Sequence, residues 1–460
     1  MSGVNRLQGE SVTGYDILDA REARANRQSQ WLCVHEDCCL VSMTMNIAGA
    51  VKRTPLIEEG FRAGLELVDD TLTNLALPVL RREEWRLNTG CEAFRLVKGP
   101  ADEVKRAMVG VEESSRFGRL LDIDVLGPDG VPLSRTGLNM PGRRCLVCGE
   151  PAQVCGRSQR HSYDQLRDVT NQIIQEFLAQ RSADRVAALA CRAMLWEVLV
   201  TPKPGLVDRE NCGAHSDMDV FAFAASAAAI TPYLRDAYRL GFQHSDRAQL
   251  LAALRGAGRL AEEEMNRATG NVNTHKGLIY SLGLLCAALG RCEAEESTAL
   301  FEECGALARL TMEADFGKQA PSRATAGQSL FKAHGIGGIR AEAADGFPSV
   351  RQIALPVLTR LLDKGMSPND AGAYALLALL GRVTDTNMIA RGGMERAAAA
   401  TQAACALWPD LEGNMPGLHQ LEELDGQFIR DNLSPGGCAD LLAIAFFLYY
   451  LSKENPTWQM

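Results

Sequence analysis

The 460-residue chain has no excess of positive charge: 48 Lys and Arg stand against 57 Asp and Glu, for a net charge of −9. That balance excludes a nucleic-acid binder working by wholesale phosphate neutralisation. A polyanionic ligand must instead be met locally, by clustered Arg and Lys, helix N-termini or divalent metal ions. The opening MSGVNRLQGE lacks the apolar core of a signal peptide. The longest apolar stretch near the C-terminus, residues 441–451, is too short for a membrane span. No membrane association and a reducing, cytoplasmic location are therefore expected, with the 14 cysteines as free thiols. Solenoid repeats and low-complexity tracts are missing too. With 46% hydrophobic and 23% charged residues, the chain has no compositional ground for disorder.

What is present reads as two halves, since this length exceeds one ordinary hydrophobic core. Residues 31–125 mix short apolar runs, such as 39–45 (CLVSMTM), with amphipathic helical stretches such as 57–73, separated by Gly and Pro turns. This half is expected to be α/β. From about residue 183 the pattern changes to Ala- and Leu-rich segments at helical spacing, among them 183–200, 218–230 and 368–383. The second half is expected to be all helix. A helical stretch at 163–180 runs into the polar residues 181–184, which predict a hinge. The expected domains are 1–180 and 183–460.

In the first half, residues 120–126 read LLDIDVL. Strand alternation puts Asp122 and Asp124 on one face and Leu121, Ile123 and Val125 on the other. Such a carboxylate pair can hold Mg²⁺, which screens a triphosphate and stabilises a departing pyrophosphate. The alternative is a strand with a solvated face. Asp is disfavoured in strands, and Arg116, Gly118 and Arg119 form a cationic lead-in suited to phosphates, which favours function. Further on, Cys145, Cys148, Cys155 and His161 have a spacing compatible with a Cys₃His zinc site; reduced thiols near a turn are the alternative. Arg143, Arg144, Arg157 and Arg160 around them make a basic surface, either for an acidic carrier protein or simply solvated.

Four segments carry a resemblance: 18–31 (LDAREARANRQSQW), 41–52 (VSMTMNIAGAVK), 118–125 (GRLLDIDV) and 144–161 (RCLVCGEPAQVCGRSQRH). Together they resemble holo-citrate lyase synthase, the phosphoribosyl-dephospho-CoA transferase family, over about the first 175 residues. Two positions depart from it: Ala48-Gly49-Ala50 replaces Pro-Gly-Pro, and Phe117 replaces an aliphatic residue. The resemblance implies transfer of a prosthetic group to a serine of the citrate lyase acyl carrier subunit, with release of pyrophosphate. It suggests a nucleotidyltransferase-like mixed sheet, with Mg²⁺ on Asp122 and Asp124 and the triphosphate on Arg119.

In the second half, Glu197 ends a helix broken by TPKPG at 201–205, and an acid-rich loop leads into GAHSDMD at 213–219. Ser216 and Asp219 fit a capping box, which competes with a metal role for Asp219 but leaves Asp217 unexplained. Residues 271–277 (NVNTHKG) open another helix, with Thr274 as cap, and His275, Lys276 and Gly277 placed to cradle phosphate. Residues 432–442 (NLSPGGCADLL) open a third, with Ser434 as N-cap, Pro435 first in the helix, Gly436 and Gly437 admitting a ligand, and Asp440 one turn inside. For the glycines the alternative is ordinary turn geometry.

The blocks PKPGLVD, GAHSDMD, NTHKG, RAEAADGFP, DTN with RGG shortly after, and NLSPGG resemble triphosphoribosyl-dephospho-CoA synthase over nearly the whole second half. Ala341 stands where that family usually has Gly. The resemblance implies that ATP and 3′-dephospho-CoA react with loss of adenine, joining a triphosphoribosyl unit to the acceptor's ribose 2′-hydroxyl. Such chemistry needs a held triphosphate, stabilised charge at carbon and a base. Lys203, His275, Lys276 and Arg340, with Ser434, Gly436 and Gly437, are the expected phosphate ligands. Asp217, Asp219, Asp385 and Asp440 are expected to hold Mg²⁺, and Glu197 or Glu342 to act as base. The competing functions are cofactor synthesis for malonate decarboxylase, and a non-enzymatic assembly factor that binds the carrier protein or CoA.

Overall fold

The computed structural model describes residues 6–32, 37–292, 297–316, 336–411 and 413–454. Contacts divide the chain into two compact units, Met1–Leu178 and Ala179–Met460.

The first unit contains α1 (Gly14–Leu32), β1 (Cys38–Met45), α2 (Pro55–Asn74), β2 (Val79–Leu87), β3 (Gly90–Lys98), α3 (Ala101–Glu113), β4 (Leu121–Leu126) and the short α4 (Ala152–Arg157). Helix α2 starts where its sequence dictates, with Thr54 accepting from Ile57 N at 3.2 Å and Pro55 in the first turn. The four strands lie in the order β2-β3-β1-β4, and every neighbouring pair is antiparallel. The expected mixed sheet is therefore corrected to an antiparallel one. The reason lies in the connections. A two-residue turn joins β2 to β3, which only antiparallel strands allow. The α3 crossover then carries the chain past β1, so β3 and β4 run the same way without pairing.

The alternation along β4 is as its sequence predicts. Leu121, Ile123 and Val125 are buried with Val41, Met43 and Ala93 in the core that includes residues of α2 and α3. The opposite face packs Leu40, Phe94, Leu96 and Leu126 with Trp31 of α1, whose ring meets Phe94 edge-on at 5.4 Å. Further along that face the side chains turn polar, and the register sets Ser42 opposite Asp124 and Thr44 opposite Asp122.

Helix α5 spans Tyr163–Leu199 without interruption. The polar stretch 181–184 is thus no break: Asp184 is exposed and Arg181 and Ser182 half-buried, while Ala183 turns into the core. Among the described residues of the second unit, all regular secondary structure is helical. It continues through α6 (Val220–Gln243), α7 (Arg247–Thr269), α8 (Lys276–Cys292), α9 (Ser297–Phe316), α10 (Gly338–Ala344), α11 (Leu355–Asp363), α12 (Pro368–Leu380), α13 (Thr386–Leu407), α14 (Leu418–Arg430) and α15 (Gly436–Glu454). Helices α6 and α8 approach backbone to backbone. A Cβ on Gly241 would lie 2.0 Å from Ala287 O, and one on Gly290 2.0 Å from Tyr238 O.

By length and composition α15 could cross a membrane. It is instead the central core helix, with Leu441, Leu442, Ile444, Phe446, Phe447 and Leu448 buried, which explains why it is apolar nearly all round. Phe446 is fully buried and packs near Trp196 at 6.1 Å. Phe446→Ala is expected to lower unfolding stability by about 3–5 kcal/mol, measured by denaturant titration, because the surrounding helices cannot close the void.

Candidate active sites

In the first unit, Asp122 and Asp124 project from β4 on the same face, beside Ser42 and Thr44. Helix α1 reaches this face too: Gln28 Nε2 donates to Ser42 Oγ at 2.9 Å, and Arg27 pairs with Glu92. Asp122 forms a 3.0 Å ion pair with Arg143. Crowding by the protein beneath it and the neighbouring Asp122 carboxylate raise the pKa of Asp124, although its tip is exposed. Behind the strand, buried Glu112 accepts from Ile123 N at 2.9 Å and pairs with both Arg135 and Arg143. Arg143 thus bridges Glu112 to Asp122. Glu112 carried no signal in the sequence, where it is one acid of an amphipathic helix.

A cavity of about 790 Å³ is lined by Arg119, Arg135, Arg143, Arg144, Cys155 and His161, among others, but by neither aspartate of β4. Arg119 donates to Cys145 O at 2.9 Å and to Arg144 O. One ligand atom from each of Cys145, Cys148, Cys155 and His161 lies within 4.8 Å of the others. The spacing in the sequence therefore corresponds to a real cluster.

In the second unit, Glu197, Lys203, His275, Lys276, Arg340, Ser434, Gly436, Gly437 and Asp440 all line one cavity of about 1020 Å³. Asp217, Asp219, Asp385 and Glu342 do not line it. Asp219 is the N-cap of α6, accepting from Ala222 N at 2.8 Å, so the capping alternative describes its contacts. Asp217 is exposed, 3.9 Å from His215 Nδ1. Glu342 is held by Ser349 Oγ at 2.5 Å and faces a smaller cavity of about 240 Å³.

Asp385 is buried and serves two helices. One oxygen accepts from Asn387 N at 2.7 Å and Met388 N at 3.2 Å, capping α13, and the other accepts from Cys438 N at 2.8 Å in the first turn of α15. A Cβ on Gly437 would stand 2.8 Å from that second oxygen, so this glycine admits the protein's own carboxylate. Ser434 does not cap α15; its hydroxyl is 2.8 Å from His215 Nε2. Likewise Thr274 leaves the start of α8 to Asn273 Oδ1, which accepts from Lys276 N at 3.3 Å, while Thr274 Oγ1 is buried without a partner.

Asp440 occupies the corresponding place at α8. A Cβ on Gly277 would lie 1.8 Å from Asp440 Oδ2, so the carboxylate sits directly against the first turn of that helix. No hydrogen-bond donor among the described residues reaches it. Enclosure by protein, with Glu197 and Asp385 nearby, lifts its pKa well above the usual carboxylate range. Glu197 is also raised by burial, against the pull of Lys203, whose Nζ is 2.5 Å from Glu197 Oε1. The loop carrying Lys203 is fixed by Asp208, which accepts from Lys203 N, Glu210 N and Asn211 N at 3.1, 2.8 and 3.0 Å.

His275 is buried, with Nδ1 2.7 Å from Ser226 Oγ and Nε2 unpartnered. Burial, with Lys203 nearby, pushes its pKa down to about 3, so the ring is neutral. Lys276 pairs with Glu262 at 2.7 Å, and Arg340 stacks over Tyr280 at 4.9 Å. Arg255, Arg259, His215 and Arg391 also line the cavity. His215 and Arg391 stood within recognised blocks, while Arg255 and Arg259 lie on α7, where helical periodicity does not mark them out.

A family model described as ATP:dephospho-CoA triphosphoribosyl transferase matches residues 183–458, and one described as apo-citrate lyase phosphoribosyl-dephospho-CoA transferase matches 12–177. Protein CitXG of Leuconostoc mesenteroides subsp. cremoris is 33% identical over 96% of this chain and 97% of its own length. Protein CitXG of Haemophilus influenzae is 34% identical over 96% of each. A 2-(5''-triphosphoribosyl)-3'-dephosphocoenzyme-A synthase of Pectobacterium atrosepticum is 39% identical over 62% of this chain and 95% of its own length.

The close approach of Gly277 to Asp440 can be tested directly. Gly277→Ala should cost about 1–3 kcal/mol in denaturant unfolding, as overpacking does. In a double-mutant cycle, Asp440→Ala should relieve most of that cost.

Proposed function

The chain belongs to the CitXG family, uniting apo-citrate lyase phosphoribosyl-dephospho-CoA transferase and ATP:dephospho-CoA triphosphoribosyl transferase parts, and we propose how its two units divide that work. It is a bifunctional transferase of citrate lyase prosthetic-group synthesis, with ATP and dephospho-CoA as substrates. The second unit joins them: the ribose C1′–N9 bond of ATP breaks, a bond from C1′ to the acceptor 2′-oxygen forms, and adenine leaves. The first unit passes the phosphoribosyl-dephospho-CoA group to a serine of the citrate lyase acyl carrier subunit, forming a phosphoester as pyrophosphate leaves. A cytoplasmic setting suits both substrates. Malonate decarboxylase cofactor synthesis is not favoured, because the match at 12–177 is to the citrate lyase transferase.

The observation that carries this reading is the cavity of the second unit, lined by both cationic and apolar side chains. Lys276, Arg340 and Arg391 meet the triphosphate there, while Phe223, Leu251, Leu254 and Leu284 offer a wall for a planar base. His275 lines the cavity as a neutral polar group rather than a cation. Glu197 is the base of choice over Glu342, since of the two it is the one that lines the cavity.

A divalent metal fits the donors present. Asp440 offers an unpartnered carboxylate beside other acids, and Asp122 with Asp124 offers a pair on one strand face. Asp217 stays exposed beside His215, whereas Asp219 and Asp385 are committed to backbone amides. Mg²⁺ at both sites would screen the triphosphate and stabilise the leaving pyrophosphate. Zinc, which favours thiolate and imidazole donors, belongs to the Cys/His cluster instead.

Purified chain given ATP, 3′-dephospho-CoA and Mg²⁺ is expected to release adenine, read by chromatography, only when the acceptor is present; folded protein that releases none would remove the second-unit assignment. Asp124→Asn should keep that release and lower carrier loading by about 100-fold or more. Loss of both activities together would contradict the division of labour.

A further inference from the structure

We infer that Cys145, Cys148, Cys155 and His161 form a closed, structural zinc site that staples residues 127–162 and thereby holds Arg143 against Asp122. Four protein ligands fill a tetrahedral shell, which marks a structural rather than a catalytic zinc. The four ligand atoms already converge within 4.8 Å. Cys148 Sγ lies 3.3 Å from both Cys155 Sγ and His161 Nε2. The turn between the first two cysteines is built for this convergence: Gly149 N donates to Cys145 O at 3.1 Å, with Gly149 at φ +75°.

A second observation says why the segment needs a metal. Between β4 and α5 the chain forms only a six-residue helix, a single 3₁₀ turn and two isolated bridges. Apart from Gly127, its buried residues are Cys145 and Cys155 themselves. A segment without an apolar core cannot offset its ordering entropy, and small coreless modules are commonly stapled by zinc. This one also carries both arginines that grip Glu112, and Arg143 continues to Asp122 at 3.0 Å. The staple would therefore set the charge beside the carboxylate pair from outside it. Binding converts three thiols to thiolates and releases three protons for each zinc taken up.

Zinc content is read without any activity, so this site stands or falls apart from the proposed function; only its effect on carrier loading rests on that reading. The full chain, purified without chelators, should carry about one zinc per molecule by mass spectrometry of the metal. Cys148→Ser/Cys155→Ser should lose it, become cleavable by protease within 127–162 and load the carrier more than about tenfold more slowly. Adenine release should be unchanged, reporting a folded second unit. Wild-type protein that takes up no zinc even from added zinc chloride, or that protects two thiols as a Cys148–Cys155 disulfide, would overturn the site. Zinc present, with proteolysis and loading unchanged in the double variant, would overturn its role as a staple.

Discussion

Burying several carboxylates around one cavity is the constraint on which the second unit depends. An ionised carboxylate taken out of water needs a cation, a set of N–H donors or a proton. Glu197 has Lys203, and Asp385 has three backbone amides from the starts of α13 and α15. Asp440 has neither, and it is the one of the three that stands against a helix N-terminus while facing the cavity. Two of these acids are met by the protein's own groups, while the pKa of the third is lifted well above the usual carboxylate range, so a proton meets it until a cation arrives with a ligand.

The same logic appears in the first unit with the signs shared differently. Glu112 is buried and answered by two arginines, one of which continues to Asp122. Asp124 lacks such an ion pair, and its pKa is raised. In both units an internal network consumes most of the charge near the site and leaves one carboxylate oriented by its neighbours but not neutralised by them. That arrangement suits catalysis on polyphosphates, where the missing positive charge arrives with the metal-bound substrate.

Much of this was legible in the sequence. Alternation in LLDIDVL placed both aspartates on one face, and Cys and His spacing found a cluster that the fold assembles. The blocks at 202–208, 273–277 and 434–440 proved to be neighbours lining one cavity. Other residues have contacts that the sequence does not show. Asp385 and Asp219 looked like metal ligands because an N-cap and a ligand present the same residue types, and only the position of backbone amides separates them. Gly436-Gly437 signalled close approach: Asn387 and Asp385 come up against these two glycines, and both glycines also line the cavity. Arg255, Arg259 and Glu112 were illegible because each is one more charged residue of a helix, with no motif around it. The polar stretch 181–184 suggested a break, yet its polar residues sit on the outer side of a helix that buries Ala183, and α5 continues through them.

The role of Asp440 is open to one direct measurement: the affinity of the chain for ATP with and without Mg²⁺, by titration calorimetry, compared with Asp440→Asn. Wild-type protein should bind Mg²⁺·ATP at least about tenfold more tightly than the variant, a difference of about 1.4 kcal/mol. Its affinity should also rise with pH, because the elevated pKa of Asp440 means that a proton must leave before the carboxylate can take a cation. Equal, pH-independent binding of Mg²⁺·ATP by the two proteins would contradict the assignment of Asp440 as the carboxylate reserved for the ligand.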